Sequence, residues 1–305
     1  MIRHDDAISR SKFLSELIGR REDEELRNWI EDYSSELKYR PLEQFMISEK
    51  AWEQVKEISV KPQLVFAHPI LLQQNPKVSK YYRGISLLSQ KQVKDLATSV
   101  SDWEKGVQSK AVTNENALKV ARLYNSIVSS IIEGHTGWTL DNGYRNIIAT
   151  MGISLDGTFR NMIGQSAEKE IKDRIRDWVE MRELVLAKTR KPLKFELNNG
   201  ITMRYGSEPD IEFSREGTVI VTIEIKGGKD RAGALERLGA MQKSFSETPS
   251  GCVNFLIAGV VTPEMKVRLD QIGTVKVYLF DEISLDEKKW NEFIQELFHY
   301  TLRLI

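Results

Sequence analysis

The chain has 305 residues, is 41% hydrophobic, and balances 44 Lys and Arg against 44 Asp and Glu, so its net charge is zero. That length supports one large domain or two modest ones, and neutrality excludes a bulk polycation: a surface for nucleic acid must be local and offset by acidity elsewhere. No apolar run approaches the ~20 residues of a membrane span, the start MIRHDDAISRSKF carries no hydrophobic signal, and the single Cys252 cannot form an internal disulfide, so a cytoplasmic protein is expected.

Residues 1 to about 60 read as helical, with Ala51, Trp52, Val55 and Ile58 at helical spacing and the charged run 22–25 as a solvated face. Pro62, Pro69 and Pro76 then punctuate a stretch that reads as loop-rich. It mixes Gln73, Gln74 and Asn75 with Lys80, Tyr81, Tyr82 and Arg83. Amides, cations and rings suit phosphate and base contacts, so Lys80, Tyr82 and Arg83 are candidate DNA-binding residues. An ordinary surface loop has the same composition, and composition alone favours that account. A helix is expected over 114–133. Residues 134–164 carry six glycines and two Arg-Asn doublets, 145–146 and 160–161. Arg145, Asn146 and Arg160 join the DNA-binding candidates, because Arg suits guanine and Asn suits adenine. A glycine-rich connection with a polar wet side explains the stretch equally well.

A long helix is expected over about 166–187, with Ser166 as N-cap and Ala167, Ile171, Ile175, Trp178 and Val179 as its buried stripe. Glu168 falls on the edge of that stripe, where a carboxylate is costly without a partner; a solvated first-turn glutamate is the plainer account. Short strands follow at 193–197, 201–205, 210–213 and 218–226, the last two joined by a turn at 215–217. Asp230 is placed to cap a helix over 231–245, whose Gly233 and Gly239 imply close packing against sheet or DNA. Strand 253–260, helix 264–269, strand 275–280 and a final helix behind a Ser284–Glu287 capping box complete the chain. The order implies an α/β fold: a mixed central sheet flanked by helices, behind a mainly helical N-terminal region.

The chemistry concentrates in EPDIEFSREGTVIVTIEIKGGKDRAG, residues 208–233. Residues two apart on a strand share a face, so Glu224 and Lys226 project together while Ile223 and Ile225 pack behind. Asp210, on the paired strand, can converge on Glu224 at the hairpin's open end. Adjacent carboxylates repel and want a cation, and hard oxygens select Mg²⁺. The Ile225 carbonyl could add an oxygen, and the Lys226 ammonium could activate water or stabilise charge on a phosphate. Gly227 and Gly228 would let a phosphate approach the backbone. Lys229, Arg231, Arg237 and Lys243 lie close behind as candidate phosphate contacts. A surface hairpin with a solvated Glu-Lys pair is the alternative; Pro-Asp at this spacing, on an apolar strand, weighs against it.

Pro209-Asp210 followed by Glu224-Ile225-Lys226 resembles the PD-(D/E)XK nuclease signature, and Gly164-Gln-Ser-Ala-Glu168 resembles the G-x-x-x-E helix that precedes it in many members. The resemblance spans about 164–281. It implies a restriction-endonuclease-like core in which Asp210, Glu224 and Lys226 are catalytic and Asp210, Glu224, Glu168 and the Ile225 carbonyl hold metal. It also implies two regions: 1–163 for DNA recognition and dimerisation, and 164–305 for catalysis. EIKGGKDRAGALERLGAMQKSF and NPKVSKYYRGISLLSQK are similar to the XcyI-type group of type II restriction endonucleases. That likeness implies an Mg²⁺-dependent homodimer cutting double-stranded DNA at a GC-rich palindrome, since a two-fold site mirrors a two-fold protein. A repair or junction-resolving nuclease on the same core, or a non-catalytic DNA-binding protein, stays open at this point.

Overall fold

The computed structural model describes residues 4–107, 112–190, 193–231, 233–272 and 275–304. They divide into two compact units, one ending at Thr158 and one beginning at Phe159.

The first unit is helical. It holds α1 (His4–Ile18), α2 (Glu22–Glu31), α3 (Glu49–Glu57), α4 (Pro69–Gln74), α5 (Val78–Ile85), α6 (Gln90–Leu96), α7 (Ser101–Lys105), α8 (Asn114–Gly134) and the first part of α9 (Leu140–Met181). Side-chain caps start several of them: Ser48 accepts from the Ala51 N–H and Thr113 from the Asn116 N–H. The core lies around α8, whose Ala117, Val120, Ala121, Tyr124, Val128 and Ile132 are buried. Two expectations fail here. The proline-punctuated stretch is largely helix, because Pro69 occupies the first turn of α4, where its missing N–H is harmless, and Ser89 with Gln92 forms a capping box for α6. The glycine-rich stretch is the opening half of α9, which runs unbroken through Gly143, Gly152, Gly157 and Gly164, so Ser166 lies inside a helix and caps nothing. Gly143 has a packing reason: a Cβ there would stand 2.8 Å from the Ile85 Cδ1.

The second unit is built on a seven-stranded sheet whose spatial order follows the chain. The strands are β1 (Val185–Arg190), β2 (Leu193–Leu197), β3 (Ile201–Tyr205), β4 (Ile211–Arg215), β5 (Thr218–Lys226), β6 (Val253–Ala258) and β7 (Val275–Leu279). β1 to β5 are an antiparallel meander, whereas β5, β6 and β7 are parallel, joined by α10 (Ala234–Ser246) and α11 (Pro263–Ile272). α12 (Phe280–Leu285), α13 (Glu287–Ile294) and a π-helical turn (Gln295–Thr301) follow. This is the expected mixed sheet with helices, and alternation along β6 sorts its two faces. Phe255 and Ile257 join Ile171, Ile175 and Val179 of α9, together with Ile223, Ile225 and Phe293. Leu256 and Ala258 join Leu238, Met241 and Phe245 of α10 and Met265 of α11.

Local signals misfire at four points. Residues 185–187, read as the end of a helix, begin β1. Asp230 does not cap: α10 starts at Ala234 behind Gly233 without a side-chain cap. Asp286, not Ser284, caps α13 through the N–H groups of Lys288 and Lys289, while Ser284 donates to Glu170. Gly239 has no packing reason in the sheet, since a Cβ there would meet nothing within 4 Å.

Candidate active site

The centre of the second unit's sheet assembles the site. β4 pairs with β5 so that Ile211 faces Ile223, and one step further this register sets Asp210 opposite Glu224. Both carboxylates are buried, at 4% and 2% exposure. Ile225, behind them, is buried in the α9 core, and its N–H donates to Asp210 Oδ2 at 2.7 Å. Lys226 lies on the same face as Glu224 and its ammonium pairs with Glu224 Oε1. The side chain of Lys226 is more open than either carboxylate. Glu224 Oε2 is buried and has no hydrogen-bond partner among the described residues.

α9 supplies the rest. Its buried Ile171 and Ile175 fix the helix on the sheet, and the half-buried Glu168 stands at the margin of that contact. One turn on is Lys172, which sequence reasoning passed over. Its ammonium pairs with Glu168, donates to the Gly206 carbonyl at 3.0 Å, and lies 3.7 Å from Asp210 Oδ1. Tyr205, the last residue of β3, holds this turn of the helix by donating its hydroxyl to the Lys172 carbonyl at 2.6 Å. The signal for Lys172 was present as a Glu-Lys pair four residues apart on a helix, but such pairs are usually surface decoration.

The electrostatics agree with a cation site. Burial pushes the Asp210 carboxyl up to about 6; the charges of Glu224 and Glu168 add to this, and the Ile225 N–H and Lys172 pull the other way. For Lys226, burial alone would lower the ammonium's pKa, but its hydrogen bond and charge contact with Glu224 leave it raised, so it stays charged. Two buried carboxylates with one oxygen unpaired fit a small hard cation. Among the described residues no group of three or more His, Cys, Asp or Glu side chains is arranged to hold a metal ion. The carboxylates that could hold a metal ion are Asp210 and Glu224, with Glu168 at the margin and paired with Lys172.

Gly227 has a different role from the expected phosphate cradle. A Cβ built on it would stand 2.2 Å from the Ala167 Cβ, so its bareness lets α9 close on the end of β5. Gly259 is bare for a similar reason, pressed against the Gly227 carbonyl.

The candidate DNA contacts separate by burial. Tyr82 is fully buried, with its hydroxyl donating to the Gln63 carbonyl at 2.7 Å, and Arg83 is 4% exposed and locked to Glu104 at 2.7 Å. Neither can touch DNA without unfolding the first unit, so both are withdrawn. Lys80 pairs with Glu22, Arg145 with Asp141 at 2.8 Å, and Arg160 with Asp230 at 3.0 Å. Asn146 donates to the Ile85 carbonyl at 3.2 Å. Lys229 pairs with Asp281 at 3.1 Å, and Arg237, partly buried, folds back to donate to the Asp230 carbonyl. Arg231 and Lys243 are exposed.

Comparison with known proteins shows the family of the chain from its sequence. The sequence model of the XcyI restriction endonuclease family matches residues 23–300. Type II restriction enzyme Cfr9I of Citrobacter freundii is 22% identical over 259 residues, covering 79% of this chain and 78% of that one.

Proposed function

From the premise that the chain belongs to the XcyI restriction endonuclease family, and is therefore a site-specific deoxyribonuclease, we propose that it is a type II enzyme whose catalytic residues are Asp210, Glu224 and Lys226. The family decides among the sequence-level alternatives: a junction-resolving or non-catalytic reading has no observation behind it.

The observation that carries the site assignment is the unpartnered, buried Glu224 Oε2, set across the strand pair from an Asp210 whose carboxyl is pushed up to about 6. A buried carboxylate oxygen left unpaired costs about 1–3 kcal/mol or more, a cost that a bound cation would offset. In the proposed reaction water attacks the phosphorus of a DNA phosphodiester, the P–O bond to the leaving alcohol breaks, and that oxygen is protonated. Asp210 and Glu224, with the Ile225 carbonyl and Glu168 alongside, would hold Mg²⁺, which supplies Lewis-acid stabilisation of the charge that builds on the phosphate. Lys226 presents its ammonium from the open side of Glu224, where it orients the attacking water or the phosphate oxygen. The Ile225 N–H fixes Asp210 from behind through Oδ2.

The remaining parts of the reading are an active homodimer, a GC-rich palindromic target, and work in the cytoplasm on double-stranded DNA. In this scheme the helical region 1–163 reads DNA and dimerises, and 164–305 cuts. Lys80, Arg145, Asn146, Arg160, Lys229, Arg231, Arg237 and Lys243 remain candidate contacts; the exposed Arg231 and Lys243 are the best placed to reach phosphate. Incubation with a fully sequenced plasmid and Mg²⁺, followed by mapping of the ends, tests this directly. Discrete cuts at one palindrome, absent with Asp210→Ala or Glu224→Ala, are expected; wild-type cutting by either variant ends the assignment. Sedimentation of the intact protein should give the mass of two chains.

A further inference from the structure

Lys172 is not accounted for by the proposed roles of Asp210, Glu224 and Lys226, yet it is the more enclosed of the site's two lysines, with 14% side-chain exposure against 28% for Lys226. Its surroundings are unlike those of a surface ion pair. An ammonium has three N–H donors, and here it has a carboxylate of its own helix, a backbone carbonyl of the loop before Asp210, and Asp210 itself within reach. The Tyr205 ring flanks it at 5.9 Å, and the Tyr205 hydroxyl anchors its own carbonyl. A side chain so enclosed has little capacity left to bind a phosphate or move a proton.

Its position also divides the carboxylates. Asp210 Oδ2 is taken by the Ile225 N–H, and Oδ1 is the atom that Lys172 approaches. Glu224 Oε1 is taken by Lys226, while Oε2 has no partner. Asp210 Oδ1 and Glu224 Oε2 are therefore the carboxylate oxygens that no N–H group holds within hydrogen-bond distance among the described residues, and the first of these already faces a positive charge. A cation held by Asp210 and the ammonium of Lys172 would share that carboxylate, and like charges in a buried setting oppose each other.

We propose that Lys172 is a built-in counter-cation of the site: its ammonium holds Glu168 and Asp210 together when no divalent ion is bound, and a divalent ion binds in competition with it. Lys172 is a positioning residue on this account, acting through the two carboxylates. The proposal rests on the reading of Asp210 and Glu224 as metal ligands. It explains how three acidic side chains are tolerated close together in a folded chain before metal arrives, and it makes weak metal affinity a built property.

The test is calorimetric titration of the full-length protein with calcium chloride, without DNA, for wild type, Lys172→Met and Lys172→Arg. Lys172→Met is expected to bind calcium about tenfold more tightly, and to melt at a lower temperature in EDTA. Lys172→Arg, which keeps the charge, is expected to bind like wild type. A structural role alone would lower the melting temperature without raising affinity. Equal or weaker binding by Lys172→Met overturns the proposal, as does no detectable heat from either protein, or Lys172→Arg behaving like Lys172→Met. Should circular dichroism show Lys172→Met unfolded, Lys172→Gln replaces it, with the same expected gain. Plasmid cleavage by Asp210→Ala separates the two ideas: wild-type cutting there overturns the nuclease site itself, whereas lost cutting with unchanged calcium affinity in Lys172→Met overturns only the role of Lys172.

Discussion

Each unit buries charge, and the two do it differently. In the first, Arg83 and Glu104 form a two-pronged pair at 2.7 and 3.0 Å. Arg83 also donates to the Leu88 carbonyl, and Gln90 donates to Glu104. Every prong is used. In the second, Asp210 and Glu224 are buried as deeply, yet one carboxylate oxygen has no partner, and the cations beside them are flexible lysines rather than a planar guanidinium. A satisfied pair costs desolvation and returns a fixed geometry. An unsatisfied buried carboxylate costs more, and a bound cation would offset that cost.

The contrast breaks first at Glu224. Glu224→Gln should lower the cleavage rate, measured in single turnover on a mapped site, by at least about 1000-fold. The same change should raise the melting temperature without divalent ions, because a neutral amide removes a buried charge that the fold does not need. Glu104→Ala should do the reverse. It strands Arg83 in the core, and urea unfolding should show a loss of about 3–5 kcal/mol. If both substitutions destabilise alike, the two burials are of one kind and the site assignment loses its main support.

A smaller effect follows from pH. Asp210 is pushed up from 3.8 to about 6 in the folded chain, so on acidification the folded state takes up that proton before the unfolded state does. Without divalent ions, stability from this group should rise as pH falls from about 6 towards about 4, by on the order of 3 kcal/mol. Cleavage should fall through the same window, because it needs the ionised carboxylate. Denaturation curves at several pH values, with Asp210→Asn as the variant that flattens them, check the sign. The smallest effect is at Gly239, exposed in α10 with open space around its absent side chain. Gly239→Ala should stabilise the free protein by about 1 kcal/mol; slowed cleavage in a more stable protein would mean that DNA backbone needs that space.

The face shared by Glu224 and Lys226 was legible because alternation holds along that part of the strand, but the register was not: a bulge between Phe213 and Ser214, and not the turn at Gly217 alone, brings Asp210 opposite Glu224. The α9 stripe of Ile171, Ile175 and Val179 was legible for the same reason with a longer period. The opening of α9 was not. Its glycines lower helix propensity, and the helix forms because packing such as Gly143 against Ile85 outweighs that cost. Tyr82 and Arg83 misled because composition does not reveal burial: the residues suited to gripping a phosphate also suit a buried network, and Glu104, 21 positions away, decided which. Lys172 was overlooked since its partners come from a helix, a loop and a strand end that no short window contains.

The contact between Ala167 and Gly227 carries a last implication. Ala167 immediately precedes Glu168, and Gly227 immediately follows Lys226, so the two smallest side chains available set the gauge between a helix carboxylate and a strand ammonium. Widening either by a methyl group would prise α9 from the end of β5 and move Glu168 away from Lys226 without replacing either side chain.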